Sequence, residues 1–209
     1  GIAVIVDMVY GHTGIDFPYY DVYTRLGYHE NPFMGTFAKD YFSNFGKSTD
    51  FNRQFTRDYF FSVNHHWLEV YHVDGIRYDC VPNYWDGPMG VGYANLVFET
   101  YHLTKSKIDL HQSYWDRFSS RADTPITLIQ CAEQLEGPEE ILRSTYSNCT
   151  WQNRTYDVAK GVARGDRGRL SEYGLSLGLF GYTEEENSNG DIIPKTALQY
   201  IENHDHERF

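Results

Sequence analysis

An arginine and an aspartate two residues apart, Arg77 and Asp79, carry the most distinctive chemistry in this sequence. They lie in the stretch 75–80, which follows a predicted helix and is expected to form a short buried strand. Side chains at positions i and i+2 of a strand project to the same face, so the two should lie side by side. A guanidinium next to a carboxylate stabilises the ionised form of that carboxylate. The pair could hold a charged nucleophile at a strand end, or it could be an ion pair that only braces two elements.

Polar side chains also stand at the ends of three further predicted strands. A continuous run of β-branched residues, such as the one near the N-terminus, is typical of a strand buried on both faces of a parallel sheet. The polar groups are Asp7 and His12 with the run at 1–9, Glu133 after the run at 125–132, and His204 and Asp205 after the run at 197–202.

Predicted helices separate these strands. Asp50 has the features of an N-cap, and the residues after it indicate a helix of about five turns. The large side chains at helical spacing in that helix are Phe55, Tyr59, Val63, Trp67 and Tyr71. Further helices are predicted near 93–106, 111–121, 138–145 and 166–180, with a short strand near 148–152 and a turn at 188–191.

The alternation of strands and helices indicates repeated βα units and a parallel sheet, so the fold class is α/β. In a (β/α)8 barrel the carboxyl ends of all strands meet at one face, where active sites lie. An open, doubly wound sheet is the alternative, but no glycine-rich phosphate loop follows the first strand. Residues 13–50 lack periodicity and are expected to be a long loop or a small inserted subdomain.

Composition narrows the classes of function. The net charge is −11 and the basic residues are scattered, so neither nucleic acid nor an anionic membrane is an expected partner. A content of 41% hydrophobic and 17% aromatic residues argues against disorder. The cysteines Cys80, Cys131 and Cys149 have no paired spacing, which argues against a disulfide framework or a zinc site and favours the cytoplasm. Nothing in the sequence indicates an oligomeric state.

Four of these stretches resemble, in order, the motifs of the α-amylase superfamily, glycoside hydrolase family 13. They are Asp7–His12, Asp74–Asp79, Glu133 after its apolar run, and Glu202–Asp205. One match alone would carry little weight, but four in register extend across nearly the whole chain. The resemblance implies that residues 1–209 are an incomplete catalytic (β/α)8 TIM barrel, running roughly from the third to the seventh strand. Residues 13–50 would then be the subdomain inserted after the third strand.

The resemblance also implies an activity. It is that of a retaining glycoside hydrolase, which cleaves α-glucosidic bonds of starch-like or glycogen-like α-glucans, or of malto-oligosaccharides, by double displacement. Asp79 would be the nucleophile, Glu133 the general acid/base, and Asp205 a carboxylate that hydrogen-bonds sugar hydroxyls. His12 and His204 would contact the sugar, and Arg77 would orient Asp79.

The residues around these carboxyls fit that chemistry. Retaining enzymes need two carboxyl groups roughly 5–5.5 Å apart, one ionised and one protonated. Arg77 favours a charged Asp79, whereas the apolar residues before Glu133 are expected to raise the pKa of Glu133. Tyr10 is a candidate for stacking on a sugar ring, with a buried core position as its alternative.

The sequence departs from the family pattern at two places. Gly11 stands where many α-amylases have the asparagine that binds a structural calcium, which argues against that ion; no other cofactor is required. Pro82 and Asn83 stand where many members have Lys-His on the leaving-group side, so contacts there are open. Asn203, in contrast, resembles the hydrolases of the family.

Three other functions are compatible with parts of the pattern. An α-glucan branching enzyme, or another transglycosidase of the same superfamily, would use the same carboxylates. A metal-dependent hydrolase could use a cluster of His12, Asp79, His204 and Asp205 at the barrel mouth, although Glu133 would then have no clear role. An inactive barrel that only binds glycan is the third, although such barrels usually lose catalytic carboxylates.

Overall fold

The computed structural model describes residues 2–14, 16–28, 31–38, 45–119, 126–151, 153–170, 183–187, 189–198, 200 and 202–205. Its strands are β1 Ile5–Val9, β2 His12–Thr13, β3 Lys47–Ser48, β4 Gly75–Asp79, β5 Ile129–Ala132, β6 Cys149–Trp151, β7 Thr183–Glu186 and β8 Ile192–Leu198. Its α-helices are α1 Pro18–Arg25, α2 Gln54–Glu69, α3 Tyr93–Asp109, α4 Pro138–Ser144 and α5 Asn153–Ala163. Short 3₁₀ turns lie at Val81–Asn83, Trp115–Phe118 and Arg167–Arg169.

The main sheet of the described residues has the order β1-β4-β5-β6-β8-β7. The first five of these strands are parallel, and β7 runs antiparallel to β8. Neighbouring parallel strands follow one another along the chain without the reversal of order that defines a doubly wound sheet. The order is the one that successive βα units produce in a barrel, and it fits a partial (β/α)8 barrel.

The register of the sheet aligns the carboxyl ends of β1, β4 and β5. Asp7 pairs with Arg77 and Val9 with Asp79 across β1 and β4. Arg77 in turn pairs with Cys131 on β5, two residues before Glu133. The polar groups at these three strand ends therefore lie at the same edge of the sheet.

Helix α2 is most deeply buried one position after the large side chains that indicated it. Phe55, Tyr59 and Tyr71 are exposed, whereas Val63 and Trp67 are partly buried against the core. The fully buried positions carry other residues. They are Thr56, Phe60, Asn64 and Leu68. The buried face is half polar because it holds a hydrogen-bond network, so hydrophobic periodicity does not reveal it. The helix also begins after Arg53 rather than Asp50, whose carboxylate accepts bonds from the main chain of Asn52 and the side chain of Arg53.

Other differences concern element ends and edges. Strand β1 lies at the edge of the sheet, so Ile5 and Val9 are 39% and 51% exposed rather than buried on both faces. The last strand covers Ile192–Leu198 instead of 197–202, because it pairs with β7 in a hairpin that the sequence did not indicate. The turn predicted at 188–191 is confirmed at Gly190, which has a φ of 81°.

Two helical regions also differ from the prediction. Helix α5 was not predicted, and only the short turn Trp115–Phe118 forms within the described part of the predicted helix 111–121. In the described part of the helix predicted near 166–180, Arg167–Arg169 form a 3₁₀ turn and Leu170 is helical. Residues 171–180 lie outside the described residues. Among those described, no helix combines the length and the apolar character needed to cross a membrane.

Candidate active site

Arg77 is the centre of a cluster of carboxylates at the aligned strand ends. Its side chain is 7% exposed. Its Nη1 atom lies 2.6 Å from Oδ1 of Asp7 and 2.7 Å from Oδ1 of Asp79, and its Nη2 atom lies 3.0 Å from Oε2 of Glu133. One guanidinium thus contacts three carboxylates that come from three neighbouring strands. The predicted pairing of Arg77 with Asp79 is confirmed, and Glu133 joins the same cluster.

The main chain after β4 fixes the position of Glu133. Cys80 has a φ of 43°, a left-handed conformation that is unfavourable for a residue with a side chain. That conformation lets the Cys80 N–H donate to Oε2 of Glu133 at 2.7 Å. The main chain of Glu133 is also bound, since its N–H donates to Tyr78 O at 2.9 Å and its carbonyl accepts from Val81 N–H at 3.1 Å. The carboxyl group is therefore held in one place relative to Asp79.

The pKa of Glu133 is raised, as the sequence predicted. Burial is the largest cause, because it penalises the charged form. The hydrogen bond from Cys80 N–H and the charge of Arg77 act in the opposite direction, while the charges of Asp79 and Asp205 raise the pKa further. Glu133 is thus the member of the cluster whose protonated form is favoured by its surroundings.

His12 lies next to this cluster. It is half-buried on β2, and Nδ1 of its ring is 3.4 Å from Nδ2 of Asn83. Burial lowers the pKa of His12, and the negative charge of Asp79 partly opposes that effect. The neutral form of the imidazole is therefore favoured.

Trp151 closes the cluster from the side of β6. The guanidinium carbon of Arg77 is 4.2 Å from the centre of the Trp151 ring, which is a cation–π contact. Trp151 is 6% exposed and also meets the ring of His204 at 6.0 Å. Nε2 of His204 lies 3.3 Å from Oδ1 of Asp205, and both side chains are largely accessible. His204 and Asp205 thus lie beside the cluster, close enough for Asp205 to raise the pKa of Glu133.

Tyr10 does not belong to the accessible part of the site, which corrects the expectation that it binds sugar. Its side chain is 2% exposed. Its hydroxyl donates to Oδ1 of Asn64 at 2.7 Å, and its ring packs 4.4 Å from that of Phe60. Asn64 also donates to Tyr78 and Thr100, so Tyr10 is a member of the buried polar network under the sheet.

The residues around Gly11 do not fit the calcium ligand of the family pattern. A Cβ atom at position 11 would lie 2.6 Å from Cβ of Asn83 and 2.9 Å from Cδ1 of Tyr84. An asparagine therefore has no room there unless the turn after β4 moves.

A metal cluster at the barrel mouth finds no support in the arrangement of side chains. Within the described ranges, no three His, Cys, Asp or Glu side chains come together as a metal-binding group. The guanidinium of Arg77 lies among the carboxylates instead, and its positive charge would oppose a cation there.

Sequence reasoning missed the parts of Cys80 and Trp151 in this site, and it placed Asn83 on the leaving-group side without the contact to His12. Cys80 acts through its main chain, which no side-chain pattern reveals. Trp151 lies at the end of β6, and that position is the signal that would have placed it next to Arg77.

Solved structures with the same fold are enzymes of the α-amylase family. A maltogenic α-amylase from Thermotoga neapolitana superposes with a TM-score of 0.52 at 16% identity, over 98% of this chain and 39% of its own. A pullulanase from an Anoxybacillus species, in complex with maltotetraose, gives 0.52 at 18% identity, over 97% and 28%. A cyclic α-maltosyl-(1→6)-maltose hydrolase from Arthrobacter globiformis gives 0.53 at 14% identity, over 84% and 39%. No protein-family model matches the chain, and no curated protein matches it in sequence.

The chain thus shares part of the barrel fold of α-amylase family enzymes, and the resemblance carried by its four motifs is confirmed at the level of the fold. It spans less than two fifths of the length of each of these structures. Identities of 14–18% are too low to carry more than the fold.

Proposed function

We propose that this chain carries the catalytic carboxyls of a retaining glycoside hydrolase that acts on α-glucosidic bonds of α-glucans. The observation that carries the proposal is the contact of Asp79 and Glu133 with one buried guanidinium, at 2.7 and 3.0 Å. Two carboxyl groups held on the same guanidinium are close enough for the separation of roughly 5–5.5 Å that a retaining pair needs. Their surroundings differ, since burial favours the protonated form of Glu133.

The proposed steps follow from those positions. Asp79 attacks the anomeric carbon as its bond to the leaving sugar breaks, and protonated Glu133 gives its proton to the departing oxygen. Glu133, now ionised, takes a proton from water, which releases the sugar from Asp79 with its original configuration. Arg77 orients Asp79 throughout. Asp205, His204 and His12 supply hydrogen bonds to sugar hydroxyls from the accessible side of the cluster.

The substrate class rests on the fold relatives. The pullulanase was solved with maltotetraose and the Arthrobacter hydrolase also with maltose, which supports a malto-oligosaccharide or a larger α-glucan as the substrate here. A branching enzyme or other transglycosidase is the second candidate, because a sugar hydroxyl can replace water in the second step. The observation that supports this second candidate is the departure from the family pattern at Pro82 and Asn83, on the leaving-group side.

The test uses the full-length protein with Asp79→Asn. Release of reducing ends from soluble starch should fall on the order of 10³-fold or more, because the nucleophile is lost. Asp109→Asn is the matched control, since that carboxylate is 61% exposed on α3 and pairs only locally with Lys105. Wild-type rates in Asp79→Asn would refute the proposal.

Two further readouts in the same assay separate the mechanisms. Proton NMR of the first product formed should show the α-anomer before mutarotation; the β-anomer would contradict retention. Loss of iodine colour with new reducing ends indicates hydrolysis, whereas new branch points without reducing ends indicate a branching enzyme.

A further inference from the structure

The side chain of Asn83 is buried, although it stands on the leaving-group side of the site in the family pattern. Its side chain is 2% exposed, in the 3₁₀ turn Val81–Asn83 that follows β4. Its Nδ2 atom lies 3.4 Å from Nδ1 of His12. The Asn83 amide therefore reaches the site through His12.

We propose that Asn83 is a positioning residue that holds His12 as a neutral imidazole with its proton on Nε2. With the Asn83 amide turned so that Nδ2 faces the ring, the ring nitrogen accepts, because an amide nitrogen is only a donor. A neutral imidazole has one N–H, and with Nδ1 as the acceptor that N–H is on Nε2. The ring then presents a donor to a sugar hydroxyl without needing to be charged. The part of this inference that concerns sugar binding rests on the proposed function.

Gly11 makes this contact possible. The missing side chain at position 11 leaves the space that Asn83 and Tyr84 fill, since a Cβ atom there would lie 2.6 Å from Cβ of Asn83. The peptide of Gly11, directly before His12, is itself fixed, because its carbonyl accepts from Thr49 N–H at 3.3 Å. Both partners of the contact are therefore held by their own backbones.

The charged groups around His12 favour the same state. Among the described residues, Asp79 on β4 is the charged group that acts on His12, and burial outweighs its effect. On β3, the Lys47 ammonium lies 5.0 Å from the centre of the Tyr20 ring. The other side of the imidazole meets the Phe45 ring at 5.6 Å.

The first experiment is ¹⁵N NMR of histidine-labelled full-length protein without substrate. The His12 ring should show the shifts and couplings of the Nε2–H tautomer, and Asn83→Asp should remove that pattern. A carboxylate at position 83 accepts from Nδ1–H, so it should produce the other tautomer or the imidazolium. A wild-type His12 in the Nδ1–H form would overturn the proposal even if no variant folds.

The second experiment follows KM for malto-oligosaccharide against pH. Wild-type KM should be flat through neutral pH. In Asn83→Asp, KM should rise about tenfold as pH increases through the pKa of His12. The imidazolium then loses its Nε2 proton and with it one hydrogen bond to the sugar. Asn52→Asp, which adds the same charge at an exposed position, should keep the wild-type profile.

The two experiments separate the inference from the proposed function. The spectrum is recorded without substrate, so it tests the Asn83–His12 contact whatever Asp79→Asn does to activity. With the spectrum as expected, an unchanged KM profile in Asn83→Asp would overturn the positioning role.

Discussion

Replacing Arg77 with methionine tests whether one guanidinium stabilises the whole carboxylate cluster. Methionine has a similar length and no charge, so the substitution leaves Asp79 and Glu133 without their cation. Their side chains are 23% and 15% exposed, whereas that of Asp7 is 52% exposed and regains water. Removing one partner of a buried ion pair costs about 3–5 kcal/mol. We expect a loss of about 3 kcal/mol in the free energy of unfolding at pH 7, because water screens part of the cluster.

The loss should depend on pH in one direction. The charge of Arg77 lowers the pKa of Glu133, so in Arg77→Met that pKa rises further above its ordinary value. A carboxyl group whose pKa is higher in the folded state adds stability below its unfolded pKa, and that stability is lost as pH rises through the folded pKa. The deficit of Arg77→Met relative to wild type should therefore be smallest near pH 4 and grow towards pH 7.

Urea unfolding of the full-length protein at several pH values measures this deficit. Arg77→Lys keeps the positive charge but loses the planar guanidinium whose two Nη atoms contact different carboxylates. Its stability deficit should therefore change less with pH than that of Arg77→Met. Arg25→Met is the control, because that side chain is 77% exposed in a surface pair with Asp21 and should cost less than about 1 kcal/mol. A deficit of Arg77→Met that is below about 1 kcal/mol, or equal at pH 4 and pH 7, would refute the reasoning.

Three further predictions concern single side chains. The alkaline limb of kcat/KM should report the deprotonation of Glu133 at a pH above the ordinary glutamate range, since its pKa is raised by burial; a limb at an ordinary value would contradict its role as the acid. Tyr10→Phe should leave KM unchanged and lower the free energy of unfolding by about 1–3 kcal/mol, because Asn64 loses a buried partner; a large rise in KM would restore Tyr10 as a sugar contact. Gly75→Ala should destabilise by about 1–3 kcal/mol in thermal unfolding, because the new Cβ would lie 2.4 Å from Ile129 O, and a neutral effect would show that β4 and β5 can separate there.

The sequence predicted β1, β4 and β5 well because their composition is distinctive. Their runs are short and are followed by or contain polar residues at the carboxyl end, and helix α3 was predicted near 93–106. The Arg77–Asp79 contact followed from the two-residue period of a strand. Its extension to Glu133 followed from the predicted parallel βα units, whose strand ends meet at one face of a barrel.

The failures share a physical cause, which is that tertiary contacts outweigh local pattern. The buried face of α2 includes Thr56 and Asn64, whose polar groups are satisfied by Tyr10, Tyr78 and other residues. A search for apolar residues at helical spacing therefore does not find the most buried positions. The β7–β8 hairpin depends on strand pairing that the predicted turn at 188–191 did not by itself indicate. Cys80 and Asn83 act through a left-handed turn and a packed glycine, and both depend on geometry beyond sequence spacing.

The order of the strands also has a consequence for synthesis. Strand β1 pairs with β4, and Asp7 and its partner Arg77 are 70 residues apart. At about 5–20 residues per second, the ribosome needs roughly 4–14 s to deliver that partner. During this time the edge of β1 that pairs with β4 has open hydrogen-bonding groups, which is a state prone to aggregation. A slow stretch of translation would be most harmful between the two strands, and a chaperone that covers β1 would be most useful there.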